Sequence, residues 1–96
     1  MNTSTEETKL VQATETLRAI AHPIRISIIQ LLHAHGQLTV TELFTKLDIE
    51  QAIASHHLRI MKNMDVVRVR REGKHSVYML ARDEYHTMVA LLLNVG

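Results

Sequence analysis

EQAIASHHLRIMKN, residues 50–63, is the stretch whose reading decides the fold. Taken as a helix, it sets Ala54, Leu58 and Met61 on one apolar stripe at steps of four and three. The opposite arc carries Ala52, Ser55, His56, Arg59 and Asn63, a set of small, hydrogen-bonding and cationic side chains. A helix divided in this way fits the major groove of DNA, where short polar groups and an Arg meet base edges. Many surface helices share the pattern, so its flanks matter.

Upstream, Thr39-Val40-Thr41-Glu42 is a T-x-x-E capping box just before an apolar pattern. It predicts a short helix over 40–47 with Val40, Leu43, Phe44 and Leu47 as the buried face. Asp48-Ile49 then makes a tight turn into 50–63, so the pair reads as a helix-turn-helix whose second member is the reading helix. Downstream of Met64 the period changes to two. Val67 and Val69 alternate with Arg68 and Arg70, which predicts a strand over about 66–70. Glu72-Gly73 supplies the turn, and 75–80 returns with Val77 and Met79 on one face. Such a ribbon, with Arg68, Arg70, Arg71 and Lys74 near its tip, would sit against a phosphate backbone or minor groove.

The rest of the chain is helical. Residues 1–7 are polar and expected to fray, whereas Leu10, Ala13, Leu17 and Ile20 recur at helical spacing and predict a helix over about 5–21. Pro23 suits a helix's first turn. A second helix over 23–35 follows, with Ile24, Ile28, Leu31 and Leu32 inward, Arg25 outward and Gly36 as its stop. A last helix over 82–94 begins with Asp83 and Glu84 at its positive end. Tyr85, Met88, Leu92 and Val95 share one stripe, but Val89, Leu91 and Leu93 leave the helix apolar almost all round, as burial in an interface requires. No repeat, low-complexity segment or linker divides residues 1–96, so one domain is expected.

Composition agrees with a small globular protein: 46% of residues are hydrophobic, 22% charged, and the only aromatics of the Phe/Tyr/Trp type are Phe44, Tyr78 and Tyr85. A core of this size is thin, which makes a second copy of the chain a source of extra burial. The net charge of +1 hides a gradient, because residues 59–74 hold six Lys/Arg against two Asp/Glu. That segment is either an electrostatic footprint for phosphates or a solvated basic turn. With no cysteine, disulfides, thiolate metal sites and cysteine nucleophiles are excluded. The polar start does not read as a signal peptide and no apolar run spans a bilayer, so a soluble cytoplasmic protein is expected.

The element order, together with LRAIAHPIRISIIQLL (17–32), LTVTEL (38–43), SHHLRIM (55–61) and VRVRREGKHSVYML (67–80), resembles the ArsR/SmtB type of bacterial transcriptional repressor. The resemblance implies a mainly α, winged helix-turn-helix fold: four helices, a two-stranded β-wing and a fifth helix. It further implies a homodimer paired through its terminal helices, bound to double-stranded DNA at an imperfect inverted repeat and released by a ligand or metal. Carried over by position, the reading residues are Gln51, Ala52, Ser55, His56 and Arg59, with Arg68, Arg70, Arg71 and Lys74 gripping the backbone. The dimer contacts fall on Leu10, Leu17, Tyr85, Met88, Leu91 and Leu92. Where such proteins commonly carry Ser and Thr, this chain has Glu50, Ala52 and Ile53. Glu50 is a poorer cap, and Ala52 and Ile53 offer only apolar contact, for instance to a thymine methyl.

Metal sensing is a feature of many such proteins. Cysteines on the short helix do this in some, but Glu42-Leu43-Phe44-Thr45-Lys46 contains no sulfur. In others zinc is held by an acidic-x-His pair early in the last helix and a second pair about three turns later. Glu84-Tyr85-His86 supplies the first half, while the second would fall at or beyond Gly96. Two ligands are too few for a closed zinc site. His33 and His35 do not face each other on a helix and suit its negative end. His22 and His57 read as packing or capping residues, His56 as a groove-facing one, and His75 as a phosphate contact or an idle surface group. The expectation is no metal, no cofactor and no catalytic residue. A rival reading is a winged-helix protein–protein interaction module whose basic face docks an acidic partner. An enzyme is disfavoured, since no activated nucleophile, phosphate loop or carboxylate pair is present. Control by a small molecule, by a partner, or by neither stays open.

Overall fold

The computed structural model describes residues 3–95. Its elements are α1 (Thr3–Ile20), α2 (Pro23–His35), β1 (Leu38–Thr39), α3 (Val40–Leu47), α4 (Gln51–Asn63), β2 (Val67–Glu72), β3 (His75–Leu80) and α5 (Glu84–Leu93). Helix α1 includes residues 3–7, which were expected to fray; Met1 and Asn2 lie outside the described residues. Of the α1 stripe only Ile20, with Ala19 beside it, is buried, while Leu10, Ala13 and Leu17 stay exposed.

Helix α2 starts where the sequence dictates. The His22 Nδ1 accepts the Ile24 N–H at 3.0 Å, and Pro23 occupies the first turn. Gly36 ends the helix at φ +81°, a conformation that favours glycine, with its N–H on the Leu32 carbonyl at 2.8 Å. Ile28, Ile29 and Leu32 form its buried face. Arg25 does not lie on the outer side as its spacing suggested. It is half-buried and points at α4, because its donors find acceptors inside the helical layer.

The capping box is complete. Thr39 Oγ1 accepts the Glu42 N–H at 3.1 Å, and Glu42 Oε1 accepts the Thr39 N–H at 2.9 Å. The same Thr39 closes β1, a strand that was not foreseen. Thus the sheet has three strands in the order β1-β3-β2, with Leu38 opposite Tyr78 and Thr39 opposite Val77. The wing is the β2–β3 hairpin. Its turn is Gly73-Lys74 rather than Glu72-Gly73, since Glu72 pairs with His75, and Gly73 takes φ +59°.

Register sorts the wing's two faces. Val67 lies opposite Leu80 and Val69 opposite Tyr78; Val67, Leu80 and Tyr78 pack on the helical core. Arg68 and Arg70 lie opposite Met79 and Val77, so those two apolar residues share the arginine face. In α5 the inward side is Val89, fully buried, with Tyr85 and Met88 half-buried against the core. The expected stripe therefore continues through Val89, and Leu92 and Val95 are exposed instead. No helix among the described residues is long and apolar enough to cross a membrane.

Candidate nucleic-acid interface

Helix α4 is held from below and bare above. Ala54, Leu58 and Met61 are fully buried, and His57 joins them at 7% exposure. Gln51, Ala52, Ser55, His56 and Arg59 are all exposed on the outer arc, as are Lys62 and Asn63. The turn from α3 uses Asp48 in the left-handed region at φ 54°, with its N–H on Thr45 O at 3.2 Å. Glu50 is the N-cap of α4 but makes no side-chain cap bond. The positive end of the helix thus keeps open N–H groups, beside a carboxylate that opposes an incoming phosphate.

The wing arginines are exposed but not idle. Arg68 Nε meets Asp65 Oδ1 at 3.4 Å, and Arg71 Nη1 donates to Ser76 Oγ at 3.3 Å. Arg70 is the most engaged: its Nε donates to Glu72 Oε1 at 2.9 Å and its Nη2 to Gln37 Oε1 at 3.1 Å. Arg59 and Lys74 make no hydrogen bond or ion pair among the described residues. Exposed ion pairs of this type contribute little, so a phosphate oxygen can replace the carboxylates at small cost.

A second surface is apolar. Leu10 (68% exposed), Val11 and Leu17 project from α1; Leu91 (65%), Leu92, Leu93 and Val95 project from α5 and its end. Of the residues assigned to dimer contact, Leu10, Leu17, Leu91 and Leu92 belong to this surface. Tyr85 and Met88 turn toward the protomer's own core. Leu93 and Val95 were not on that list, because an all-round apolar helix gives no periodicity from which to choose, and Val11 was missed because it lies beside the α1 stripe and not on it.

Histidines make contacts that spacing alone did not reveal. His33 stacks on His86, with ring centroids 3.4 Å apart. His57 lies 4.3 Å from the His22 ring and 5.2 Å from His56, and its Nδ1 accepts the Arg25 Nε–H at 3.0 Å. Burial first, then the positive groups His22, Arg25 and His56, hold the His57 imidazolium below its ordinary value of 6.5. Neither His33 with His35 nor Glu84 with His86 forms a cluster of three or more groups able to hold a metal among the described residues.

A buried-backed helix presenting a polar arc, preceded by a capped helix and followed by a cationic hairpin, defines a winged helix-turn-helix of regulatory type. The family described as bacterial regulatory protein, arsR family, matches residues 22–69, and the chain belongs to that family. It is 34% identical over 86 residues to the biofilm growth-associated repressor of Agrobacterium fabrum, covering 90% of this chain and 73% of that one. It is 30% identical over 92 residues to the transcriptional activator HlyU of Vibrio cholerae, covering 96% of this chain and 84% of that one. Its fold superposes with a TM-score of 0.86, at 28% identity and over 98% of this chain and 86% of the other, on a domain from Mycobacterium bovis. That domain is described as a homodimeric winged helix-turn-helix DNA-binding domain.

Proposed function

We propose that residues 1–96 form one DNA-binding domain that works as a cytoplasmic homodimer and represses transcription by occupying an inverted-repeat operator. The observation that carries this reading is the exposed arc Gln51, Ala52, Ser55, His56 and Arg59 on α4, flanked by Arg68, Arg70, Arg71 and Lys74 of the wing. The arc reads base edges, with Arg59 suited to guanine and Ala52 to a thymine methyl, while the wing holds the backbone. Pairing of two copies through the α1 and α5 leucines buries the apolar surface and sets the two reading helices ~34 Å apart, one turn of DNA. The homodimeric state of the Mycobacterium bovis domain supports the assembly of two copies. The likeness to the biofilm growth-associated repressor of Agrobacterium fabrum supports repression as the mode of action. Soft-metal sensing through thiolates has no ligands here, since the chain lacks cysteine.

A salt titration of binding to duplex DNA tests the reading. If the four wing cations of each protomer neutralise phosphates, log affinity falls against log salt with a slope of about −7. Affinity that barely changes with ionic strength would overturn it.

A further inference from the structure

Arg25 ties three helices together. Its Nε donates to His57 Nδ1 on α4 at 3.0 Å, and its Nη1 donates to the Arg18 carbonyl on α1 at 3.0 Å. The Arg18 carbonyl is available because its helical donor is lost: the His22 N–H turns to Ile20 O at 2.7 Å. His57 is buried, and Ser55, His56 and Arg59 of the exposed arc lie within two residues of it on the same helix. The contacts that hold His57 are thus made on the same stretch of helix as the groups that face the groove. The bond has a chemical condition: Nδ1 accepts only when it carries no proton, so His57 must be neutral.

We propose that Arg25 and His57 are positioning residues for operator recognition, a latch that aims α4 and that opens when His57 is protonated. The inference rests on the DNA-binding reading and deepens it, because neither residue touches the groove. With a proton on Nδ1, a donor faces a donor and an imidazolium faces a guanidinium. The surroundings do nothing to relieve that pair. Toward His57 stand His22 from the cap of α2, Arg25 from α2 and His56 from α4 itself, all positive when charged. From α1, Arg18 and Glu15 line the cavity of about 230 Å³ beside Arg25, together with Ile60 and Met64 of α4. The single carboxylate there, Glu15, forms no ion pair with Arg25 among the described residues.

Acid then acts on aim, which is lost as the latch opens, so the loss falls on the selected duplex and not on a scrambled one. The test uses a duplex selected by the full chain from a random-sequence library, compared with a scrambled duplex. For the unaltered chain, the ratio of selected to scrambled affinity is expected to hold above about pH 6.5 and to fall progressively as pH drops below it, since His57 is held under its ordinary value. In His57→Asn the Oδ1 stands in for Nδ1 and cannot take a proton, so the ratio is expected to hold across that range. In Arg25→Gln, folded by circular dichroism, the ratio is expected to be independent of pH and at least ~10-fold below that of the unaltered chain at about pH 7.5, with the salt slope unchanged. Arg25→Lys, which keeps the charge but not the fork that serves two acceptors, should behave as Arg25→Gln does.

A ratio independent of pH in the unaltered chain would overturn the latch. So would an Arg25 variant that weakens both duplexes equally, or one that lowers the salt slope and so reveals a phosphate contact. If the unaltered chain selects no sequence at all, the DNA-binding reading falls and the latch with it; selection with pH-independent discrimination removes the latch alone.

Discussion

His33 in the last turn of α2 and His86 in the first turn of α5 stack face to face, centroids 3.4 Å apart and planes 2° from parallel. The contact pins the start of the apolar last helix to the end of the second, and it orients the leucines that α5 exposes. A double-mutant cycle on His33→Ala and His86→Ala is expected to give a coupling of about 1 kcal/mol in chemical denaturation, the size of an aromatic pair beyond its area. Zinc is expected to give no multi-degree rise in melting temperature, because two imidazoles without a third ligand hold it weakly. A coupling near zero would mean that the stack contributes nothing to holding α5.

The capping box at the head of α3 is the next local determinant. Thr39→Ala removes the acceptor for the Glu42 N–H and is expected to cost about 1 kcal/mol. Hydrogen bonds from the Thr39 backbone and side chain hold the Glu42 carboxyl below its ordinary value of 4.5. A depressed carboxyl stabilises the fold above that value and loses its contribution as pH falls through the lowered one. Denaturation of Glu42→Gln should show a smaller loss of stability in that acid window than the unaltered chain; identical acid profiles would rule out the carboxylate's role.

The capping box and the Arg25–His57 hydrogen bond mark where sequence reading succeeds and where it stops. Thr39 and Glu42 are three residues apart, so their bond is written in local spacing, as is the Ala54–Leu58–Met61 stripe of α4. The valine alternation of β2 is equally local. Arg25 and His57 are separated by 32 residues, and nothing in the neighbourhood of Arg25 distinguishes a tie from a solvated guanidinium. Strand β1 is too short to show a period, and it exists only because Leu38 and Thr39 meet Tyr78 and Val77 of a distant strand. In α5 every face is apolar, so packing against α2 selects Val89 and leaves Leu92 outside.

Acid should also weaken the fold itself. His57 is held below its ordinary value of 6.5 by burial and by positive neighbours, so the unfolded chain binds its proton first. Stability is therefore complete above that value and declines as pH drops below it. His57→Asn is expected to flatten this decline in a denaturation series. An unchanged profile would show that His57 does not carry the acid sensitivity.

Arg59 and Lys74 separate reading from gripping. Both are exposed and without a hydrogen bond or ion pair among the described residues, so neither substitution leaves a partner unpaired. Arg59→Ala is expected to lose about 1–3 kcal/mol per half-site on the selected duplex and to relax discrimination at one position in each half-site. Lys74→Ala, which removes one phosphate contact from each protomer of the dimer, should weaken all duplexes alike and reduce the salt slope by about 2. If Arg59→Ala leaves operator affinity intact while weakening a complex with an acidic protein, the interaction-module reading takes over.

The apolar surface supplies the last test, which concerns assembly. Leu91 is 65% exposed in the single protomer and Leu10 68%, and in a two-fold dimer each occurs twice. Burying a leucine contributes about 2 kcal/mol, so Leu91→Asp removes roughly 4 kcal/mol from the pair, close to a thousandfold in dissociation constant. Sedimentation should then show a monomer with unchanged helical content, since Leu91 lies outside the protomer's own core. Its binding to the full inverted repeat should fall to that of a half-site, because one reading helix alone gains nothing from the second. A monomeric Leu91→Asp that still binds the full repeat as tightly would show that α5 does not set the distance between the reading helices.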